Sequence, residues 1–377
     1  MLPPGEKRLL VILTSLCAEG TPVLTLDMCR QWKARGISPV VATLAERPND
    51  LAPEFHAAGI PVRRMNLSAS RRGRFPKLAL AVYRLCRELR PDAVLSMPLG
   101  WHAFMFLGAR AAGVRSTAAH VGNYPPLHAG REFMKFRTLV RLGQPVTNAL
   151  ICCSSYIQQG IWEHFGVSAH RTRLIYNGVD VEPIALAAAR SRASRGSGPF
   201  VVGMVATLEI HKDQPTLIRA AARLRDAGVP IEVWLVGEGT RREEYQRLIA
   251  ELSLQQVVRL LGMRRDVPAL LGQMDAFVFS AKPDEGLGVA LIEAMAASVP
   301  IIATDVGACR EVLQDGALGK LVPAGDVAAM ADAIAAMTRH PADHTRQVQD
   351  ARRRALEVFS ISEMARQYAL CLKLESA

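Results

Sequence analysis

The sequence predicts an α/β protein made of two doubly wound domains, each a parallel sheet covered by helices on both faces. Three observations predict it. Apolar strand-like runs alternate with helical periodicity along the chain. The runs form two series, separated by a stretch that loses strand character. The chain has 377 residues, half of them hydrophobic, which suffices for two cores of ordinary size.

The first series consists of Leu9–Thr14, Ser38–Leu44, Asp92–Met97, Ser116–Val121 and Ala149–Ser154. Between the first two lies a helical pattern, Pro22–Gly36, ended by a glycine as helices commonly are. The second series consists of Phe200–Ala206, Ile231–Gly237, Val257–Gly262, Ala276–Ala281 and Pro300–Asp305, with helices such as Gln214–Gly228 between. The stretch Glu182–Phe200 turns to Ala, Ser, Arg and Gly, and Ser194–Pro199 is expected to be a mobile connection near the domain boundary. The expected division is 1–176 for a first Rossmann-like domain, 177–360 for a second, and 361–377 for a C-terminal helix packing back on the first. The two halves share architecture, with no internal repeat of matching residues.

No run of 18 apolar residues occurs, so no membrane-spanning helix is expected. Leu9–Thr14 reads as a buried first strand rather than a signal peptide. The seven cysteines form no CxxC pair and none lies near a histidine at zinc spacing, which fits reduced apolar fillers in a cytoplasmic protein. Charge is unevenly spread. Residues 1–184 hold 23 Lys and Arg against 12 Asp and Glu, whereas the remainder balances. Basic clusters at Arg63–Lys77 and Gly130–Arg141 interleave Arg with Phe, Leu and Met. They suit an anionic membrane surface. No nucleic-acid fold signature accompanies them, so nucleic acid is not expected as a partner. A solvated basic face without a partner is the plainer alternative.

Open parallel sheets bind ligands at the carboxyl ends of their strands. In the second half those ends carry Thr207 and Lys212, then Gly237–Gly239, then Gly262, Met263 and Arg264, then Asp284–Val289. Glycines there let backbone come close to a ligand. The N–H groups around Gly286, Leu287, Gly288 and Val289, at a helix start, suit a diphosphate. A lysine adds a compact positive charge. Glu293 can accept two hydrogen bonds from a ribose diol, and Glu285 can face hydroxyls attached to the diphosphate. Two carboxylates flanking an anion-binding helix start thus fit a nucleotide-sugar. Taken singly, each piece also reads as an ordinary turn or surface residue.

Together these residues carry a resemblance. Glu285–Val312 resembles the E-x7-E segment of retaining glycosyltransferases of family 4, which have two Rossmann-like domains facing each other across a cleft, the GT-B type. Arg173–Asp180 resembles the stretch that opens the second domain of that family. Gly203–Leu224 and Val233–Leu252 match in order and spacing, and Glu19–Gly36 matches less closely. The resemblance implies that Gly20 brings the first loop to the sugar and phosphate, and that His120 bonds a sugar hydroxyl near the reacting carbon. It implies that Lys212 neutralises the leaving diphosphate, and that Gly262, Met263 and Arg264 border the base. Glu285 would hold the donor sugar, and Glu293 the ribose. No DxD motif is present, so no cofactor and no essential divalent ion are expected.

The sequence departs from the family pattern at four places. Thr207 stands where an arginine usually joins the lysine on the diphosphate. Glu19 replaces the first glycine of a Gly-Gly loop, Pro22 stands where a glutamate is frequent, and Ser298 replaces a glycine after the E-x7-E helix. The resemblance implies transfer of a sugar from a nucleotide-sugar, UDP-linked, to a polysaccharide or glycolipid precursor. The expected place is the cytoplasm, peripheral on the inner face of the membrane. A nucleotide-sugar 2-epimerase of the same fold, and a catalytically weak nucleotide-sugar-binding subunit, are the alternatives.

Overall fold

A computed structural model describes residues 6–18, 20–65, 67, 74–124 and 129–376. Glu19, Arg71 and Arg72, which entered the sequence reading, lie outside these residues. The chain divides into two compact units. Residues 1–178 with 361–377 form the first, and 179–360 form the second.

The first unit runs β1 (Lys7–Leu13), α1 (Gly20–Ala34), β2 (Ile37–Thr43), α2 (Ala52–Ala57), β3 (Val62–Arg64), α3 (Arg74–Leu89) and β4 (Ala93–Ser96). It continues α4 (His102–Ala111), β5 (Ser116–Val121), α5 (Arg131–Gly143), β6 (Ala149–Cys152), α6 (Ser155–Phe165) and β7 (Thr172–Leu174). The sheet order is β3-β2-β1-β4-β5-β6-β7, all parallel. The order reverses between β1 and β4, the topological position at which open sheets take ligands. Leu9 to Ile12 in β1 are fully buried, as a strand covered on both faces requires.

Two strands of this sheet, β3 and β7, have only three residues each and gave no strand-like run in the sequence. Thr172–Leu174 pairs with β6, so Arg173 and Leu174, at the start of the stretch that resembles a second-domain opening, close the first sheet, within the expected 1–176 domain. The break between units falls at Gly178, two residues after the expected boundary.

The second unit runs α7 (Val181–Ala193), β8 (Phe200–Val205), α8 (Gln214–Asp226), β9 (Ile231–Val236), α9 (Arg242–Glu251), β10 (Val258–Gly262) and α10 (Val267–Gly272). Then come β11 (Ala276–Phe279), α11 (Val289–Ala296), β12 (Ile301–Thr304), α12 (Gly307–Leu313), β13 (Lys320–Val322), α13 (Val327–Arg339) and α14 (Thr345–Val358). Its parallel sheet has the order β10-β9-β8-β11-β12-β13, reversing between β8 and β11. Residues 194–199 lie inside this unit, away from its boundary. Arg195 there donates twice to the Asp275 carboxylate, 2.7 Å each, and Asp275 also accepts from the Val201 amide. The expected mobile connection is a clamped loop.

The last helix, α15 (Ile361–Cys371), belongs to the first unit. Its buried residues Ile361, Met364, Ala365, Tyr368 and Ala369 repeat at intervals of three and four, one continuous apolar stripe. The stripe enters the core that holds Leu9, Val11 and Trp32. Trp32 donates its indole N–H to the Ala365 carbonyl at 2.9 Å, which satisfies a polar group that burial would otherwise make costly.

Candidate active site

In the second unit the carboxyl ends of β8, β9, β10 and β11 are joined by backbone bonds between loops. The Ala206 amide donates to Val236, Leu208 to Glu238, Arg241 to Leu208, and Gly237 to Gly262. Gly237 has φ +143°, and a Cβ there would lie 2.0 Å from the Ala206 carbonyl oxygen. The space a side chain would take at Gly237 is thus filled by the Thr207 loop, so close packing of the two loops requires glycine here.

Thr207 is exposed at the end of β8. Its carbonyl accepts from the side chain of Gln214, which is buried and fixes the loop from the first turn of α8. A short 3-10 turn, Ile210–Lys212, follows, and Asp213 takes the left-handed conformation to start α8. Ser280, at the end of β11 and fully buried, donates to the carbonyls of Lys212 and Asp213. The Lys282 amide donates to the His211 carbonyl, and the Glu285 amide to the Lys282 carbonyl. These bonds join two loops 73 residues apart in sequence.

Their product is an ion pair. Lys212 Nζ lies 2.5 Å from Glu285 Oε2, with the two side chains 16% and 9% exposed. The ammonium also lies 5.3 Å from the centre of the Phe279 ring. A charge this shielded requires a partner. Glu285 supplies it. Beside the pair, half-buried His211 has its pKa lowered, by burial first and by the Lys212 charge second.

Gly288, φ +77°, precedes α11, and a Cβ there would lie 3.0 Å from the Phe279 ring. The glycine therefore lets the helix start close over β11. Gly286 and Leu287 are buried beside it, Val289 is partly buried, and Glu293 is partly buried on α11. On the far side of the sheet, Gly262 has φ +70°. Met263 is exposed, and Arg264 is bound twice by the Asp266 carboxylate, at 2.7 and 2.6 Å.

In the first unit His120 ends β5 and is 3% exposed. Its Nδ1 lies 2.8 Å from the Tyr368 hydroxyl on α15. Burial lowers its pKa to about 4 and raises that of Tyr368 well above 10, so the ring is neutral and the phenol protonated at neutral pH. A phenol that donates to Nδ1 leaves the ring's proton on Nε2. Gly122 leaves room for that edge, since a Cβ there would lie 2.8 Å from Nε2. Gly20 opens α1 in the open, with nothing within 4 Å of a built Cβ.

The sequence reading missed Tyr368, Ser280 and Gln214. Each is a lone polar residue in an apolar or helical pattern, and only its three-dimensional neighbour gives it a role. Among the described residues, no group of His, Cys, Asp and Glu could hold a metal ion.

Comparison with known proteins follows the same division. Residues 18–183 match Glycosyltransferase Family 4, and residues 188–354 match Glycosyl transferases group 1. The chain is 32% identical over 214 residues to the Putative glycosyltransferase EpsD of Bacillus subtilis, covering 56% of this chain and 54% of that one. It is 28% identical over 255 residues to a Campylobacter jejuni protein, N-acetylgalactosamine-N,N'-diacetylbacillosaminyl-diphospho-undecaprenol 4-alpha-N-acetylgalactosaminyltransferase, covering 66% and 67%. The match to EpsD spans about half the length of that relative. The crystal structure of Anabaena Alr3699/HepE in complex with UDP and glucose superimposes with a TM-score of 0.84 at 22% identity, covering 98% of this chain and all of that one. The chain thus carries a Glycosyltransferase Family 4 domain followed by a glycosyl transferases group 1 domain, on the two Rossmann-like units of the GT-B fold.

Proposed function

We propose that the chain is a retaining glycosyltransferase that moves a hexosyl group from a UDP-linked donor to a glycolipid or polysaccharide precursor. The observation that carries this reading is the Lys212–Glu285 pair at the carboxyl edge of β8 and β11, beside the glycine-led start of α11. The HepE structure with UDP and glucose and the diphospho-undecaprenol acceptor in the Campylobacter name lend support.

In this reading the anomeric C–O bond breaks with oxocarbenium character, and negative charge builds on the leaving diphosphate. Lys212 and the opening amides of α11 stabilise that charge, which is electrostatic catalysis. Glu285 meets the sugar hydroxyls, and Glu293 the ribose diol. His120 offers Nε2–H to a sugar hydroxyl while Tyr368 holds its ring. The leaving phosphate takes the acceptor proton on the same face, so configuration is retained. No metal enters this scheme.

The first unit is proposed to lie on an anionic membrane. None of its described helices is long and apolar enough to cross one. On α5, exposed Met134 and Leu142 accompany exposed Arg131, Lys135 and Arg141. Basic residues near such a surface contribute about 1 kcal/mol each, lost in high salt. Flotation with anionic vesicles at low salt is expected, and equal recovery with neutral vesicles would argue for a soluble acceptor.

The transfer reading is tested by product analysis with a panel of nucleotide-sugars, with and without acceptor. Transfer with an unchanged anomeric configuration is expected. An epimerised free nucleotide-sugar formed without acceptor would sink it.

A further inference from the structure

At the reversal of the first sheet, β4 leads through Met97–Trp101 into α4. Ser96 of β4 is paired with Ala119, the residue before His120, and the two strands are parallel. The loop therefore leaves the sheet at the edge where His120 stands. Pro98, Leu99 and Trp101 are partly exposed there, and the Arg74 guanidinium lies over the Trp101 ring, 4.1 Å from the centroid.

The loop is held from inside. Buried Ser96 donates its hydroxyl to the Pro98 carbonyl at 2.9 Å. Gly100, φ +89°, is buried, and a Cβ there would lie 3.2 Å from the Phe136 ring of α5. The Gly100 amide donates to His102 Nδ1 at 3.0 Å. His102 is fully buried, and burial lowers its pKa to about 3, so the ring is neutral. A neutral ring whose Nδ1 accepts carries its proton on Nε2. That N–H has no hydrogen-bond partner among the described residues, a costly state for a buried donor. Nε2 lies against the end of α5, where a Cβ at Gly143 would be 2.5 Å from it.

His102 also lines a cavity of about 10 Å³, together with Gln144, Thr147 and Arg171 and a few apolar side chains. The Thr147 hydroxyl donates to the Gly143 carbonyl at 2.7 Å and keeps lone pairs free to accept. Arg171 Nη1 donates to the Gln144 carbonyl at 2.7 Å and so holds the 3-10 turn Gln144–Val146 that follows α5. A volume of this size takes about one water, and a buried water requires two to four polar partners. The ring N–H, the Thr147 hydroxyl and the Gln144 amide meet that requirement.

We propose that this cavity binds one ordered water, and that His102 is a positioning residue for the loop above it. Nδ1 sets the Gly100 amide, and Nε2–H is anchored through the water to the turn after α5. The exposed face of Pro98–Trp101 is thereby kept in one shape for the acceptor. This rests on the proposed function, in which the second unit takes the donor's ribose and diphosphate and the first unit meets the acceptor.

The test combines crystallography and kinetics on the full chain. A wild-type crystal structure is expected to show a water within hydrogen-bond distance of His102 Nε2 and of Thr147 or Gln144. A dry cavity, or Nε2 bonded directly to protein, would overturn the water site. Three variants divide the ring's two bonds. His102→Asn keeps an acceptor near Nδ1, His102→Gln keeps a donor near Nε2, and His102→Leu keeps neither. The acceptor KM should rise roughly ten-fold in His102→Leu, nearly as much in His102→Gln, and less than about three-fold in His102→Asn, with UDP affinity and donor KM within two-fold throughout. A merely structural role would instead lower kcat through loss of folded enzyme and leave both KM values unchanged. That result, or a donor KM rising in step with the acceptor KM, would overturn the positioning role. Where His102→Leu fails to fold, the difference between the asparagine and glutamine variants decides, and equal acceptor KM in those two and wild type counts against the proposal. If no nucleotide-sugar supports transfer, the proposed function fails, and positioning is read from the crystal structure of His102→Gln. Displacement of Gly100 and Trp101 then keeps the role of His102, and an unmoved loop removes it.

Discussion

The two units share one architecture and solve the same problem differently. Each places candidate residues at the carboxyl edge of a parallel sheet, at a reversal of strand order. The second unit fixes its pair by backbone bonds between loops, with Ser280 and Gln214 as additional ties. The first unit fixes His120 through a helix from the far end of the chain, by way of Tyr368. Charge differs as sharply. The first unit holds 25 Lys and Arg against 12 Asp and Glu, and the second holds 21 against 23. In the proposed scheme anion binding in the second unit therefore depends on a few placed groups, whereas the first unit carries a general positive charge.

The largest expected effect tests the placed groups. In the proposed scheme Lys212→Ala removes the diphosphate partner, and it leaves the Glu285 carboxylate shielded without its ion-pair partner. It should lower turnover by about a hundred- to a thousand-fold, as loss of one preorganised electrostatic group typically does. It should also weaken UDP binding by roughly 1.5–3 kcal/mol. Glu285→Ala should abolish turnover as well, yet leave UDP affinity equal to wild type or tighter, because the ammonium is released from its partner. Glu293→Ala should weaken free UDP by a similar 1.5–3 kcal/mol if it holds the ribose. Calorimetry beside turnover checks all three. Equal loss of UDP affinity in the Lys212 and Glu285 variants would mean that the pair acts only as a structural strut.

The second prediction separates the units by pH. The folded-state pKa of His120 is lowered from 6.5 to about 4, and that of His102 to about 3, both by burial. The unfolded chain takes up protons on both near 6.5, whereas the folded unit resists until far lower pH. Their contribution is therefore complete above 6.5 and is lost as pH falls toward 4 and 3. At about 1.36 kcal/mol for each unit, the loss is on the order of several kcal/mol. The second unit has half-buried His211 and should respond less. Denaturant unfolding from pH 7.5 to 4.5 should show the first unit losing stability faster. His120→Asn should flatten part of that slope.

How much of this was legible in the sequence differs by feature. Long, buried strands such as β1 and β8 show as apolar runs because both faces are covered. The short edge strands β3, β7 and β13 have three residues each, too few for any period. Lys212 and Glu285 were legible as strand-end residues, but their contact was not, since nothing in one sequence couples positions 212 and 285. Tyr368 lies on the apolar stripe of α15, and nothing in one sequence singles out its hydroxyl. Its hydroxyl acquires meaning only where α15 meets β5. Arg74 was legible as a member of the Arg63–Lys77 cluster, but its place over the Trp101 ring was not.

A smaller effect is expected from Thr207→Arg. Thr207 is exposed, and Arg264, a candidate to fill the missing guanidinium's place, is held by Asp266. A new arginine at this strand end therefore does not compete with Arg264 and, in the proposed scheme, joins Lys212 on the diphosphate. UDP should bind about ten-fold more tightly, the equivalent of one charge-assisted contact. Unchanged binding would show that position 207 points away from the anion.

The smallest effect concerns Ser298, where a glycine is usual in the resembling family. Ser298 takes φ +56°, in the left-handed region that costs a residue with a Cβ about 1 kcal/mol or more. Its conformation is enforced from both sides. The Ser298 amide donates to the Met295 carbonyl as α11 ends, and Arg192 of α7 donates to the carbonyls of Ala297 and Ser298. Ser298→Gly relieves the strain but gives the unfolded chain more freedom, which opposes part of the gain. The net expectation is a stabilisation of about 0.5 kcal/mol, with UDP affinity unchanged. The variant also labels a transition. Its hydrogen bonds among the described residues lie in the second unit, so where unfolding resolves into two steps, only the step belonging to that unit should shift. A shift of both steps together would mean that the units unfold as one, and the pH difference between them would then have to be read from ligand binding instead of unfolding.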